Sequence, residues 1–313
     1  MTGRATAPPV IVFGALRSGS TLLRLMLDAN TNISCPAETD FMFDHLLPDA
    51  RSYRYDLSAL QSDRMYRAFE ERYKADEMSP PTPERFLDQI SENGAKTAVL
   101  VLHRGLSKAL DVFPDARIIH LVRDPRDVAR SSVGMGWAGH VYFGVDHWIN
   151  TENEWHACQP QVAQTQSMTI QYEGLITAPE DTLSTISAFC GEDYDPKMLD
   201  YNLKSTYSKP DPTLIFQWKH KQTSDEVSLV EQKIGTLLST SGYTASGYLS
   251  AVPSTAKKLS LWAINKRGVW RFRFKRYGVY DTLVSFLSRR LHIAPLGRRA
   301  KQRMEAADIK NLK

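Results

Sequence analysis

Three cysteines in 313 residues, Cys35, Cys158 and Cys190, are too few and too widely spaced for a disulfide framework or a zinc site. They read as buried thiols in a reducing compartment. No apolar run reaches the roughly 18 residues needed to span a bilayer. The opening MTGRATAPPV lacks the apolar core of a signal peptide, so a cytoplasmic chain is expected. Neither internal repeats nor low-complexity stretches interrupt the sequence. What remains is an ordinary globular composition, 42% hydrophobic and 24% charged, sized for one large domain or two small ones.

Acidic residues are scarce in one region. From Ala251 to Lys313 only Asp281, Glu305 and Asp308 stand against 16 lysines and arginines, a net charge of +13, whereas residues 1–250 carry −9. This asymmetry divides the chain into a mildly acidic body, 1–250, and a strongly basic tail, 251–313, with a role of its own.

The most telling absence lies in VFGALRSGSTLLRLMLD, residues 12–28. A short apolar strand, a glycine-bounded turn and a helix start follow one another as in a phosphate-binding loop. The Gly-Lys-Ser/Thr ending of an ATP- or GTP-binding loop is missing. Such a turn presents free backbone N–H groups and a positive helix end to an anion. Ser18, Ser20 and Thr21 add hydroxyl donors, and Arg17 supplies a permanently charged fork. An ordinary strand–turn–helix corner would read the same way.

PPVIVFGAL reads as a buried parallel strand and STLLRLMLDA as a helix with Leu22, Leu23, Met26 and Leu27 on one face. TAVLVLH (97–103) is a strand or a helix start. ARIIHLVRDP (116–125) is a strand ended by Pro125, with a helix after it, and SMTIQYEGL (167–175) is another strand. APEDTLSTISAFCG (178–191) carries helix start and stop signals. Residues 51–95, polar and without strand signals, are expected to form helices and loops over a cleft. The alternation predicts an α/β fold with a mainly parallel sheet. In IIHLVRDPRDVARSS, Arg123, Arg126, Arg130, Ser131 and Ser132 follow a strand end, the sheet edge where ligands bind. Two phosphate-seeking clusters suggest one ligand with two phosphate groups. RDPRD would equally make a surface lattice of ion pairs.

GALRSGSTLL resembles the 5′-phosphosulfate loop of the sulfotransferase superfamily, and VRDPRDVARS resembles its 3′-phosphate segment. FPDARIIHLVRDPRD and IQYEGLITAP follow the family pattern in order, over roughly residues 10 to 245. The resemblance is to bacterial-type sulfotransferases related to the protein-tyrosine sulfotransferases. It implies a P-loop-like parallel sheet flanked by helices. The implied sulfuryl donor is 3′-phosphoadenosine 5′-phosphosulfate (PAPS), leaving adenosine 3′,5′-bisphosphate (PAP) as product, with no metal. Arg17, Ser18, Gly19, Ser20 and Thr21 would clasp the 5′-phosphosulfate, Arg123 and Ser131 the 3′-phosphate, and Tyr172 would sit against the adenine or ribose.

For the base that takes the acceptor's proton, the resemblance points to Glu38 in SCPAETDFM. The relatives have Glu-Thr-Arg where this chain has Glu38-Thr39-Asp40, and the added acid weighs against a tyrosine in an acidic peptide. His103, His140 and His147 are rival bases outside any matching histidine motif. Lys96 in GAKTAVLV resembles the lysine that contacts the leaving oxygen, and Ser205 a serine that touches the same atom. Lys209 would close over the donor or lie on the surface.

GMGWAGHVYFGVDHW (134–148) lines the acceptor side or belongs to the core. The tail mixes Trp262, Trp270, Phe272, Phe274 and Phe286 with eight basic residues between Lys266 and Arg290. That mixture suits an anionic membrane surface, packing on the acidic body, or an anionic glycan. Nucleic acid is not expected. The expected function is sulfuryl transfer to a hydroxyl of a glycan, glycolipid or lipid-linked acceptor, with the protein peripheral to the membrane. The alternatives are a tyrosine or small-molecule sulfotransferase, a P-loop kinase, and a non-catalytic nucleotide-binding scaffold.

Overall fold

The computed structural model describes residues 7–49, 52–73, 81–92, 94–162, 167–203, 205–248, 252–291 and 293–311. Five parallel strands form the central sheet: β1 (Val10–Phe13), β2 (Ile33–Ser34), β5 (Thr97–Leu102), β6 (Arg117–Val122) and β7 (Ser167–Gln171), in the order β2-β5-β1-β6-β7. In register, Phe13 stands beside Leu102 on one side and His120 on the other. All four residues of β1 are fully buried because both sheet faces are covered.

Alternation along the strands sorts their side chains into two cores. Ile11, Phe13, Leu100, Leu102 and Ile118 pack with Phe41, Phe43, Phe69, Phe86 and Trp155. Val10, Val12, Val99, Val101, Ile119 and Leu121 pack with Leu23, Met26 and Leu27 of helix α1 (Ser20–Asp28) and with Leu175, Leu183 and Ile186. Burying the apolar face of α1 is what holds so short a helix.

TAVLVLH resolves as a strand, because parallel pairing to β1 and β2 uses its backbone groups. Two expectations change. SMTIQYEGL is strand only to Gln171; the chain turns helical at Tyr172, where the Glu173 side chain accepts from the Asp124 N–H. The polar stretch 51–95 holds, beside its helices, a strand β4 (Ser52–Tyr55) that pairs antiparallel with β3 (Leu46–Asp49) just before it.

The chain forms two compact units, 1–124 with 147–215, and 125–146 with 216–313. The sheet belongs to the first. In the second, the helix Pro125–Gly134 packs with Ser224–Ile234, and the tail helices Thr255–Arg290 and Ala294–Asn311 pack with each other. The tail shares its unit with 125–146 and 216–250. Asn265 Oδ1 accepts from the N–H groups of Gly139 at 2.7 Å and His140 at 3.2 Å. Gly139 and Gly268 meet backbone to backbone: a Cβ on Gly268 would lie 2.5 Å from the Gly139 Cα. The long tail helix breaks at Gly278, whose φ of 78° and ψ of 163° are non-helical. Beyond the break the chain folds back, so Trp270 meets Phe286 at 5.2 Å between ring centroids.

Candidate active site

In a parallel sheet the loops after the strands share one edge. Here that edge collects Gly14–Gly19 after β1, Cys35–Asp40 after β2, His103–Gly105 after β5, Arg123–Asp124 after β6, and Tyr172 after β7. The first loop turns sharply. Arg17 adopts a left-handed φ of 73°, and Gly19, the N-cap of α1, one of 94°. A Cβ on Gly19 would lie 2.2 Å from the Tyr172 ring, so only glycine fits. No side chain caps α1, and its first N–H groups stay directed at the sheet edge. Ser18 is fully buried, and its hydroxyl has no hydrogen-bond partner among the described residues. An unpartnered buried donor beside an uncapped helix start fits an anion ligand.

Arg123 closes this loop from β6. Its Nη1 donates to the Arg17 carbonyl and its Nη2 to that of Leu214, both at 3.0 Å. Its guanidinium lies 4.4 Å over the Tyr172 ring. Trp148 Nε1 donates to the Arg123 carbonyl at 3.2 Å, and His147 Nε2 contacts the Leu16 carbonyl at 2.9 Å. Burial pulls the Arg17 pKa below its usual range; Tyr207 opposes the shift and the nearby Arg123 adds to it. Two half-buried cations at one loop favour a multiply charged anion.

On the other side, Thr21 Oγ1 donates to Glu38 Oε1 at 3.3 Å. Ser20 Oγ is 2.9 Å from His103 Nε2, and His103 Nδ1 is 2.8 Å from Asp40 Oδ2. Asp40 Oδ1 also accepts the His103 backbone N–H at 2.8 Å. Burial resists ionisation of Asp40, but the hydrogen bonds and charge of His103, with Arg104 behind them, carry its pKa below the usual carboxylate value. Nothing in the sequence pairs residues 40 and 103. Thr39 makes the junction, its N–H donating to the Val101 carbonyl at 2.9 Å and its Oγ1 accepting the Val101 N–H at 3.0 Å.

The structure brings together Arg17, Ser18, Gly19, Ser20, Thr21, Glu38, Arg123 and Tyr172. It does not bring Lys96 to them. Lys96 precedes β5, at the opposite end of a strand whose six residues span about 20 Å. Its Nζ pairs with Glu92 at 2.7 Å. The end of β5 that meets the loop carries His103 and Arg104 instead, and Arg104 Nε donates to Asp44 at 2.8 Å. Ser205 Oγ accepts the Tyr207 N–H at 3.3 Å, and Lys209 is exposed.

In the second unit, Ser131 lies half-buried on Pro125–Gly134. The RDPRD segment is no surface lattice: Asp124, Arg126 and Asp127 are buried. Arg126 pairs with Glu231 at 2.6 Å and stacks 3.8 Å over Trp218, while Asp127 Oδ1 accepts the Trp218 N–H at 2.8 Å. His140 caps its own helix, its Nδ1 accepting from the Tyr142 N–H at 3.1 Å, and burial lowers its pKa.

An uncapped helix start after the central strand of a parallel sheet, with arginines in place of the missing lysine, defines an α/β protein with a P-loop-like strand–turn–helix. Residues 8–196 match the sulfotransferase family, and the chain belongs to that family. Among curated relatives, it is 23% identical over 232 residues to a protein-tyrosine sulfotransferase of Drosophila melanogaster, covering 70% of this chain and 44% of that protein. It is 24% identical over 221 residues to an uncharacterized protein of Aquifex aeolicus, covering 64% and 27%. The chain thus spans from about a quarter to under half the length of these relatives. Its fold is similar to that of the sulfotransferase domain from the curacin biosynthetic pathway, with a TM-score of 0.57 at 19% identity over 77% of this chain and 99% of that one. The sulfotransferase domain of the Synechococcus PCC 7002 olefin synthase gives 0.55 at 19% identity, over 74% and 96%.

Proposed function

We propose that the protein is a sulfotransferase that takes the sulfuryl group from PAPS to an acceptor hydroxyl. The observation that carries this reading is the loop 14–21, where Arg17, the unpartnered Ser18 hydroxyl and the start of α1 meet Arg123 from the neighbouring strand. In this reading Arg17, Ser18, Ser20 and Thr21 hold the 5′-phosphosulfate, with Gly19 allowing the turn. Arg123 holds the 3′-phosphate, an assignment shared with Ser131 through their spacing in the sequence. Tyr172 forms the platform beneath the loop and Arg123. Glu38 takes the proton of the acceptor hydroxyl as its oxygen bonds to sulfur and the bond from sulfur to the phosphate oxygen breaks. Cationic and N–H donors around the loop stabilise the charge left on that phosphate. Arg104 takes the position at the sheet edge that Lys96 does not reach. Ser205 accepts from the Tyr207 N–H and keeps its own hydroxyl proton to donate to the leaving oxygen.

The acceptor class proposed is a glycan, glycolipid or lipid-linked hydroxyl, and the tail supports it. Val279, Leu283, Leu287 and Leu291 recur every fourth residue and are all exposed, flanked by exposed Tyr280 and Ile293. No helix among the described residues is long and apolar enough to cross a membrane. An apolar stripe in a segment of net charge +13 suits binding in the plane of an anionic surface. A tyrosine acceptor is the second reading, favoured by the protein-tyrosine sulfotransferase relatives. Asp40, which the sequence sets against it, is buried and hydrogen-bonded to His103. Transfer of labelled sulfate to fractionated lipids, polysaccharides and peptides tests both. Label in the peptide fraction alone would overturn the first reading, and no transfer from PAPS to any fraction would overturn the function.

A further inference from the structure

Asp40, His103 and Ser20 form one hydrogen-bonded chain that ends at the anion-binding helix start, and its protons can be placed. Both Asp40 oxygens accept, one from the His103 backbone and one from the ring. With Asp40 ionised, that pairing keeps the proton of a neutral His103 on Nδ1. Nε2 is then a bare acceptor 2.9 Å from Ser20 Oγ, and the single hydroxyl proton of Ser20 must point at it. In this state Ser20 shows a phosphate only lone pairs. Once Nε2 gains a proton the direction reverses: Nε2–H donates to Ser20 Oγ, and the Ser20 hydroxyl proton turns toward the ligand.

We propose that His103 and Asp40 are positioning residues that switch Ser20 from acceptor to donor, so that the 5′-phosphate of the donor nucleotide binds with uptake of one solvent proton on His103 Nε2. The inference rests on the donor reading above. The groups facing His103 are consistent with it. Asp40 and Glu38 lie on the segment after β2, and each brings an oxygen within 4.8 Å of the other and of a ring nitrogen of His103. Ser20 and Thr21 face it from α1, with Thr21 held by Glu38. Arg104, next in the chain, lies 4.0 Å from Asp40 and is neutralised by Asp44. Thr151 from the helix behind donates to the His103 carbonyl at 3.1 Å and brings no charge. The ring is thus faced by two carboxylates and by one cation already paired with Asp44. Negative charge on the phosphate grows as its bond to sulfur breaks, so the donor state of Ser20 is worth more to the product than to the substrate.

The test is calorimetric titration of the full chain with PAP near pH 6 and pH 8, in buffers of differing ionisation enthalpy. PAP's own phosphates titrate in this range, so each profile is read against His103→Gln, whose amide does not titrate. The wild type should take up a measurable fraction of a proton beyond that of the variant. Its affinity relative to the variant should fall on the order of tenfold across the range, about the worth of one charge-assisted hydrogen bond. Ser20→Ala should abolish the excess uptake. In case the variants fold poorly, 15N spectra of the wild-type imidazole should show both ring nitrogens protonated when PAP saturates the site near neutral pH. PAP bound with Nε2 still bare, or parallel pH profiles for wild type and His103→Gln, would overturn the switch and leave the donor reading standing. A wild-type chain that ignores PAP would overturn both.

Discussion

The Arg123 guanidinium stacks 4.4 Å over the Tyr172 ring, and the same ring blocks any side chain at position 19. One aromatic platform thus sets the spacing between the loop after β1 and the cation after β6. That spacing is what a ligand with two separated phosphate groups would read.

Arg123→Ala should weaken PAP binding by about 2–4 kcal/mol, through loss of a charge-assisted contact and of the tie to the Arg17 carbonyl. Arg123→Lys should recover little, because an ammonium cannot serve two carbonyls and a phosphate in one plane. Titration calorimetry decides it. Unchanged affinity in Arg123→Ala would remove Arg123 from the donor site.

Replacing Glu38 by glutamine should lower turnover on the order of a hundredfold or more at nearly constant PAP affinity, as expected for a general base. Single-turnover kinetics with PAPS and the acceptor found by fractionation provide the measurement. Near-normal turnover would assign the proton to another group.

Lys96→Ala should leave turnover within about twofold of wild type, since its Nζ serves Glu92 on the surface. Arg104→Ala should instead slow turnover, through its place beside Asp40 and Asp44. The opposite ranking would show that the strand's other end reaches the reaction.

Asp40 has a folded-state pKa below its unfolded value, so it contributes stability above the unfolded pKa of about 4 that is lost as pH falls through the folded one. Asp40→Asn should therefore cost stability at neutral pH and narrow the gap to wild type under acid. Denaturant unfolding at pH 7 and near pH 3 measures this. An equal deficit at both would mean that packing, not charge, is what the variant lost.

Leu283→Asp with Leu287→Asp should abolish binding to anionic vesicles while leaving PAP affinity intact. Wild-type binding should weaken with added salt. Neutral vesicles and a soluble polyanion serve as controls. Retained vesicle binding by the double variant would place the contact elsewhere on the tail. Removing the whole tail is a poorer test, because Asn265, Gly268 and Phe272 pack against residues 136–140 of the same unit.

Local pattern was enough to read β1, α1, the strand at 117–122 and the helix at 179–190, because their periodicities and caps are written in neighbouring residues. The hairpin β3–β4 escaped, since its strands are short, contain Pro48 and pair only with each other. Residue type and spacing singled out Arg17 and Arg123 as candidates and the family resemblance singled out Glu38, all on loops that follow strands. Lys96 lies apart from them for a geometric reason: a motif names a strand without saying at which of its ends the loops gather. Asp40 and His103 are 63 residues apart. Only the docking of Thr39 alongside Val101 turns them into a pair, and pairing across a sheet is a property of register, which no single stretch of sequence contains.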